Sequence, residues 1–145
     1  MIGAMARMAR AALDVSVAVR AVVRSRGRVA RRPVGSLVGK TDQTFPDASS
    51  RTLSVADQRC AERWGAAVDR ALRLLPGDSA CLVRSGALHE LVISRGLPRA
   101  LVRIGVRRGP DGFEAHAWVE QDGMPIAEPV RLRGAFSSLD GVTLR

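Results

Sequence analysis

The apolar positions change period once along the chain, from helical to strand-like, and the change falls near Pro98. Met5, Met8, Ala12, Val15, Val19 and Val22 recur at alternating three- and four-residue steps, the stripe of an amphipathic helix over residues 4–25. Residues 26–52 lose that period: R-G-R-V-A-R-R-P reads as a basic linker and F-P-D-A-S-S as turn chemistry. A second helix is predicted from Ser54, with Asp57 completing a short capping box, to Leu75, where Pro76-Gly77 stops it. Leu53, Ala56, Cys60, Trp64, Ala67, Ala71 and Leu74 form its apolar side. A third helix begins at Asp78 or Ser79, either of which can cap it, and ends at Arg95, with Gly96 as the C-cap.

Beyond Pro98, Val102, Ile104 and Val106 alternate with Arg103, Gly105 and Arg107, the pattern of a half-buried strand. G-P-D-G at 109–112 is a turn, Phe113 to Glu120 the returning strand, and Gln121-Asp122-Gly123 a second tight turn. Met124 to Ala127 is a third strand, and Val130 to Arg133 a candidate fourth. Helices followed by an antiparallel meander define an α+β class. The chain divides into an N-terminal amphipathic helix and basic linker, residues 1–52, and a domain over residues 53–145.

Composition adds little to the fold and something to the setting. With 145 residues, 46% apolar and 26% charged, the chain is that of an ordinary globular protein. The net charge of +9 is uneven: residues 1–40 hold nine basic residues against Asp14, and the remainder is near neutral. Two cysteines, Cys60 and Cys81, are too few for a disulfide scaffold and match no zinc spacing, so no metal is expected. No apolar run reaches the roughly 18 residues of a membrane span. No signal peptide is read at the N-terminus, and a cytoplasmic setting is expected.

Three residues carry candidate chemistry. Cys81 falls in the first turn of the third helix, where the helix dipole favours thiolate and unpaired amides can hold an oxyanion. The competing reading is a core cysteine, a common fate of that residue type. His116 lies mid-strand in F-E-A-H-A-W-V-E, on one face with Glu114, Trp118 and Glu120; an isolated strand histidine is the plainer alternative. Glu128 follows the strand that a tight turn returns beside His116, within reach of the far ring nitrogen. A cysteine at a helix start, a histidine on the next sheet and an acid on the adjacent strand form a cysteine-nucleophile set. Arg84, one turn after Cys81, either holds a substrate carbonyl or is a surface cation, and Trp118 either walls a substrate groove or packs in the core. Cys60, mid-helix, reads as core, and His89 stands too far along its helix to pair with Cys81.

These residues sit in blocks that resemble a known family. C-L-V-R-S-x-A-L at 81–88, R-G-L-P at 95–98, L-V-R-I-G-V-R-R at 101–108, and A-H-A-W-V-E at 115–120 with D-G at 122–123 are similar to the leader peptidase of lasso peptide biosynthesis. The resemblance covers residues 53–133 and implies a transglutaminase-like, papain-related cysteine protease fold. It implies Cys81 as nucleophile, His116 as general base, and Glu128 in the place where the family usually has an Asp, twelve positions after the histidine. The implied activity is removal of the leader from a ribosomally made precursor peptide, with no cofactor. The implied partners are that precursor, a separate leader-recognition protein and an ATP-using lasso cyclase. Residues 1–50 read as helix and linker instead of a winged recognition module, which implies the protease half of a split system.

Two other classes stay open on the residues. The basic N-terminal segment could bind nucleic acid or an anionic membrane. No nucleic-acid fold signature appears, and that partner is not expected. The first helix is the spare amphipathic element, and covering the Ala115, Ala117, Val119 sheet face or a partner protein is favoured over membrane contact through residues 1–25. The same triad could also serve an acyl transferase.

Overall fold

In a computed structural model of the chain, residues 2–31, 53–77, 80–129, 132 and 134–138 are described. Three helices precede the sheet: α1 (Ile2–Arg31), α2 (Val55–Leu74) and α3 (Cys81–Ile93). Four strands follow: β1 (Ala100–Gly109), β2 (Gly112–Gln121), β3 (Met124–Ile126) and β4 (Ser137–Ser138), in the antiparallel order β3-β2-β1-β4. The α+β class is as the sequence predicts.

Local chemistry sets most boundaries. Ser54 caps α2, its hydroxyl accepting from the Asp57 amide at 3.1 Å. After α3, Gly96 adopts a left-handed conformation (φ 102°), the Leu97 amide reaches back to the Val92 carbonyl and the Gly96 amide to that of Ile93. That is a Schellman ending at the glycine the sequence marks, with the last helical residue Ile93 in place of Arg95. Asp122 and Gly123 both have positive φ (53° and 78°), so a type I′ turn joins β2 to β3. Ala80 is the N-cap of α3; the expected caps Asp78 and Ser79 lie outside the described residues.

α3 is the centre of the molecule. Val83, Ser85, Ala87, Leu88, Leu91 and Val92 are all buried, because α3 packs against α1 and α2 on one side and β1 and β2 on the other. It is α3, and not α1, that covers the sheet face bearing Ala117 and Val119. The Ser85 hydroxyl donates to the Ala117 carbonyl at 2.8 Å across that interface.

α1 instead lies across α2 and α3. Its packed line is Ala18, Ala21, Val22 and Ser25, while Met5 and Met8 of the expected stripe are 69% and 73% exposed. Small side chains let the helix axes approach: a Cβ on Gly86 of α3 would stand 2.5 Å from the Ser25 hydroxyl, which donates to the Val83 carbonyl. Polar pairs frame the contact, Arg63 Nε with Asp14 at 2.6 Å and both Arg24 and Arg28 with Glu90. Burial of Glu90 opposes its charge, but the two guanidiniums prevail and hold its carboxyl below the usual range. The helix within residues 1–52 therefore shares one core with the segment after residue 53.

The candidate strand at 130–133 falls largely outside the described residues. Leu132 sits in a short turn, its amide bonded to the Pro129 carbonyl, and the fourth strand is Ser137–Ser138 beside Gly105 and Val106. Among the described residues no helix is long and apolar enough to cross a membrane.

Deleting residues 1–10, all exposed where described, should change unfolding stability in urea by no more than about 0.5 kcal/mol. Deleting residues 1–25 strips Ala18, Ala21 and Val22 from the core, and the product should aggregate on size-exclusion chromatography.

Candidate active site

The sheet face turned away from α3 carries the polar residues of β2 in the expected alternation. Arg103 pairs with Glu120 and Arg107 with Glu114, while His116 and Trp118 lie between them. The two rings stack with centroids 6.1 Å apart, and Phe136 tilts against His116 at 5.1 Å. Trp118 is buried because Gly105 on β1 leaves room for it: a Cβ there would meet the indole at 2.6 Å. Its Nε1–H donates to Glu120. Beside these rings is a cavity of about 290 Å³, walled by His116, Trp118, Pro125, Leu132 and Phe136. Trp118 is thus both a packed side chain and a groove wall.

Glu128 reaches His116 as the sequence anticipates, with His116 Nε2 and Glu128 Oε2 3.0 Å apart. The carboxylate is only 3% exposed. Its entry depends on a sharp turn after β3. Ala127 takes a left-handed conformation (φ 51°), which costs a residue with a Cβ on the order of 1 kcal/mol or more. α2 accommodates that turn with Gly65, where a Cβ would stand 2.6 Å from the Ala127 Cβ. A glycine inside an otherwise good helix is the sequence signal for such a close approach.

Arg84 is largely buried. Its side chain is 17% exposed, and its guanidinium donates to three internal groups. Nη1 donates to Glu128 Oε1 at 3.1 Å, Nη2 to the Ala127 carbonyl at 2.9 Å, and Nε to Asp69 on α2 at 2.7 Å. Burial works against its charge, but Asp69 and then Glu128 outweigh this and raise its pKa above the ordinary value. Sequence reasoning missed Asp69 and this bridge.

Cys81 is the first residue of α3, half-buried, with its N-cap in extended conformation and no side-chain cap. The Val83 and Arg84 amides fold back onto the Ala80 carbonyl. Among the described residues no hydrogen bond takes up the amides of Cys81 and Leu82, the helix-end donors nearest the thiol. Among the described residues no hydrogen bond joins Cys81 to His116. The helix that carries Cys81 is tied to the histidine strand one turn later, at Ser85 and Ala117. Cys60 is half-buried against the core, and His89 contacts the Ala100 carbonyl at 2.9 Å; burial pushes its pKa down, and neither joins this cluster. Asp122 pairs with Arg99, away from His116, and Asp140 lies outside the described residues. The described residues contain no group of His, Cys, Asp and Glu able to hold a metal ion.

Three helices, an antiparallel sheet, a histidine–carboxylate pair on that sheet and a cysteine opening the adjoining helix define a domain of the transglutaminase-like type. The chain matches the model of the transglutaminase-like superfamily over residues 11–140, and it belongs to that superfamily. Members of the superfamily are generally enzymes, cysteine proteases or acyltransferases. No curated protein and no solved structure matches the chain.

Gly65→Ala should destabilise the protein by about 1–3 kcal/mol in urea denaturation, because the methyl meets Ala127. In an open helix the same change would be stabilising by about 1 kcal/mol; an increase in stability would show that the Ala127 turn yields freely.

Proposed function

We propose that the chain is a cysteine peptidase that removes the leader from a ribosomally made lasso peptide precursor. The observation that carries the reading is the His116–Glu128 hydrogen bond. It engages Nε2, so a proton exchanged with Cys81 would be carried on Nδ1. The motif blocks around Cys81 and His116 supply the leader-peptidase assignment, and the cavity beside His116 offers apolar walls for a peptide side chain.

In this reading Cys81 gives its proton to His116 Nδ1 and the thiolate attacks the scissile carbonyl. The oxyanion is met by helix-end amides. The imidazolium, steadied by Glu128, returns the proton to the departing amine, leaving a thioester. Water, deprotonated by His116, then releases the leader carboxylate and restores the thiol. No cofactor enters. The partners are the precursor, a separate leader-recognition protein, and a lasso cyclase that takes the freed core.

The test is cleavage of a precursor peptide in the presence of its recognition protein, with products read by mass spectrometry. Cys81→Ala and His116→Ala should each abolish cleavage with unchanged circular dichroism. Glu128→Ala should lose about a hundredfold less than Cys81→Ala, since an orienting acid costs less than a nucleophile. Cys60→Ala should keep most activity. Cleavage that survives Cys81→Ala would sink the assignment, and an amine adduct of the acyl group in place of a free carboxylate would make the protein an acyltransferase.

A further inference from the structure

Arg84 joins two features that the catalytic chemistry does not explain: a carboxylate with almost no exposure and a strained residue immediately before it. A carboxylate taken out of water is costly unless paired and hydrogen-bonded. His116 supplies one partner to Glu128, on Oε2. Arg84 supplies a partner on the other oxygen, Oε1, and at the same time grips the Ala127 carbonyl. One planar guanidinium therefore fixes both the head group of Glu128 and the backbone from which it springs. Its own orientation is set from α2, where Asp69 takes Nε and Nη2 at 2.7 and 3.2 Å. The relay runs Asp69, Arg84, Glu128, His116, across α2, α3, the turn after β3, and β2.

We propose that Arg84 is a positioning residue that sets the angle and occupancy of the Glu128–His116 hydrogen bond, with Asp69 holding Arg84 in place. The consequence for catalysis rests on the cysteine-peptidase reading above; the consequence for the histidine ring does not. A substrate-binding arginine would present its donors to the groove. Arg84 spends four donor contacts inside the protein. Among the described residues, Arg103 and Arg107 on the His116 face pair with Glu120 and Glu114. Lysine cannot replace this arginine fully, because a point-like ammonium lacks the planar fork that spans Asp69, Glu128 and the Ala127 carbonyl together.

The experiment follows the ring Nε2–H proton of His116 by low-field proton NMR on the full chain, assigned by its loss in His116→Gln. A ring proton held by a buried carboxylate exchanges slowly enough with water to be seen. Glu128→Gln should remove it. Arg84→Gln should remove or broaden it. Arg84→Lys should be intermediate, and Asp69→Asn should act in the same direction by less. In the cleavage assay, Arg84→Gln should lower kcat about 10- to 100-fold with KM within about twofold. The double variant Arg84→Gln/Glu128→Gln should lose little more than Glu128→Gln alone.

Persistence of the wild-type resonance in a folded Arg84→Gln protein overturns the proposal, as does its absence from the wild type. A rise in KM at unchanged kcat also overturns it, by making Arg84 a substrate contact. If Arg84→Gln does not fold, Asp69→Asn decides: its resonance must broaden, and an unchanged one overturns the relay. A wild type that shows the Arg84-dependent resonance but cuts no leader fails the peptidase reading alone.

Discussion

The Glu128 carboxylate is the point on which the rest of the site depends. It is buried, it touches His116 with one oxygen and Arg84 with the other, and it is delivered by a residue in left-handed conformation. Each feature requires support from a different element. Gly65 on α2 gives the Ala127 turn its space, Arg84 on α3 gives the carboxylate its counter-charge, and β2 gives it the histidine. A buried charge with a missing partner is destabilising by several kcal/mol, so stability of the fold and order of the site are one requirement here.

That coupling is possible because α3 lies at the middle of the molecule. Its length places Cys81 at its start, Arg84 and Ser85 within the first turn and a half, and a Schellman ending at Gly96 that hands the chain straight into β1. The same helix covers the apolar face of the sheet and is itself covered by α1 and α2. Four of the arginines that make the chain basic tie elements together: Arg24 and Arg28 hold Glu90, Arg63 holds Asp14, and Arg84 holds Asp69 and Glu128.

Membership of the transglutaminase-like superfamily sets the chain in a superfamily whose members are generally enzymes. The site geometry narrows the roles of the residues. Trp118 and Phe136 flank the His116 ring and leave an apolar hollow beside it. Arg84 meets Glu128, Asp69 and the Ala127 carbonyl with its guanidinium. The peptide-cleaving reading thus leans on Cys81, His116 and Glu128 for chemistry and on the hollow for recognition.

The sequence by itself determined the elements and much of the constellation. The shift from helical to alternating period separates helices from sheet. Asp122-Gly123 and Gly96 mark their turns because only particular residues tolerate positive φ. Alternation along β2 puts His116 and Trp118 on one face, and the returning strand carries Glu128 toward the ring. Periodicity reports which side of an element is apolar, however, and not which neighbour lies against it. So the stripe on α1 is right at Val19 and Val22 but not at Met5 and Met8, and the rest of the packed line is the small-residue face of Ala18, Ala21 and Ser25, chosen by how closely two helices can approach. The cover of the sheet by α3, the link from Asp69 through Arg84, and the gap that Gly65 leaves for Ala127 were decided in the tertiary structure alone. They join residues as distant in sequence as Gly65 and Ala127 or Arg84 and Glu128, and such contacts depend on the docking of whole elements, which no local pattern encodes.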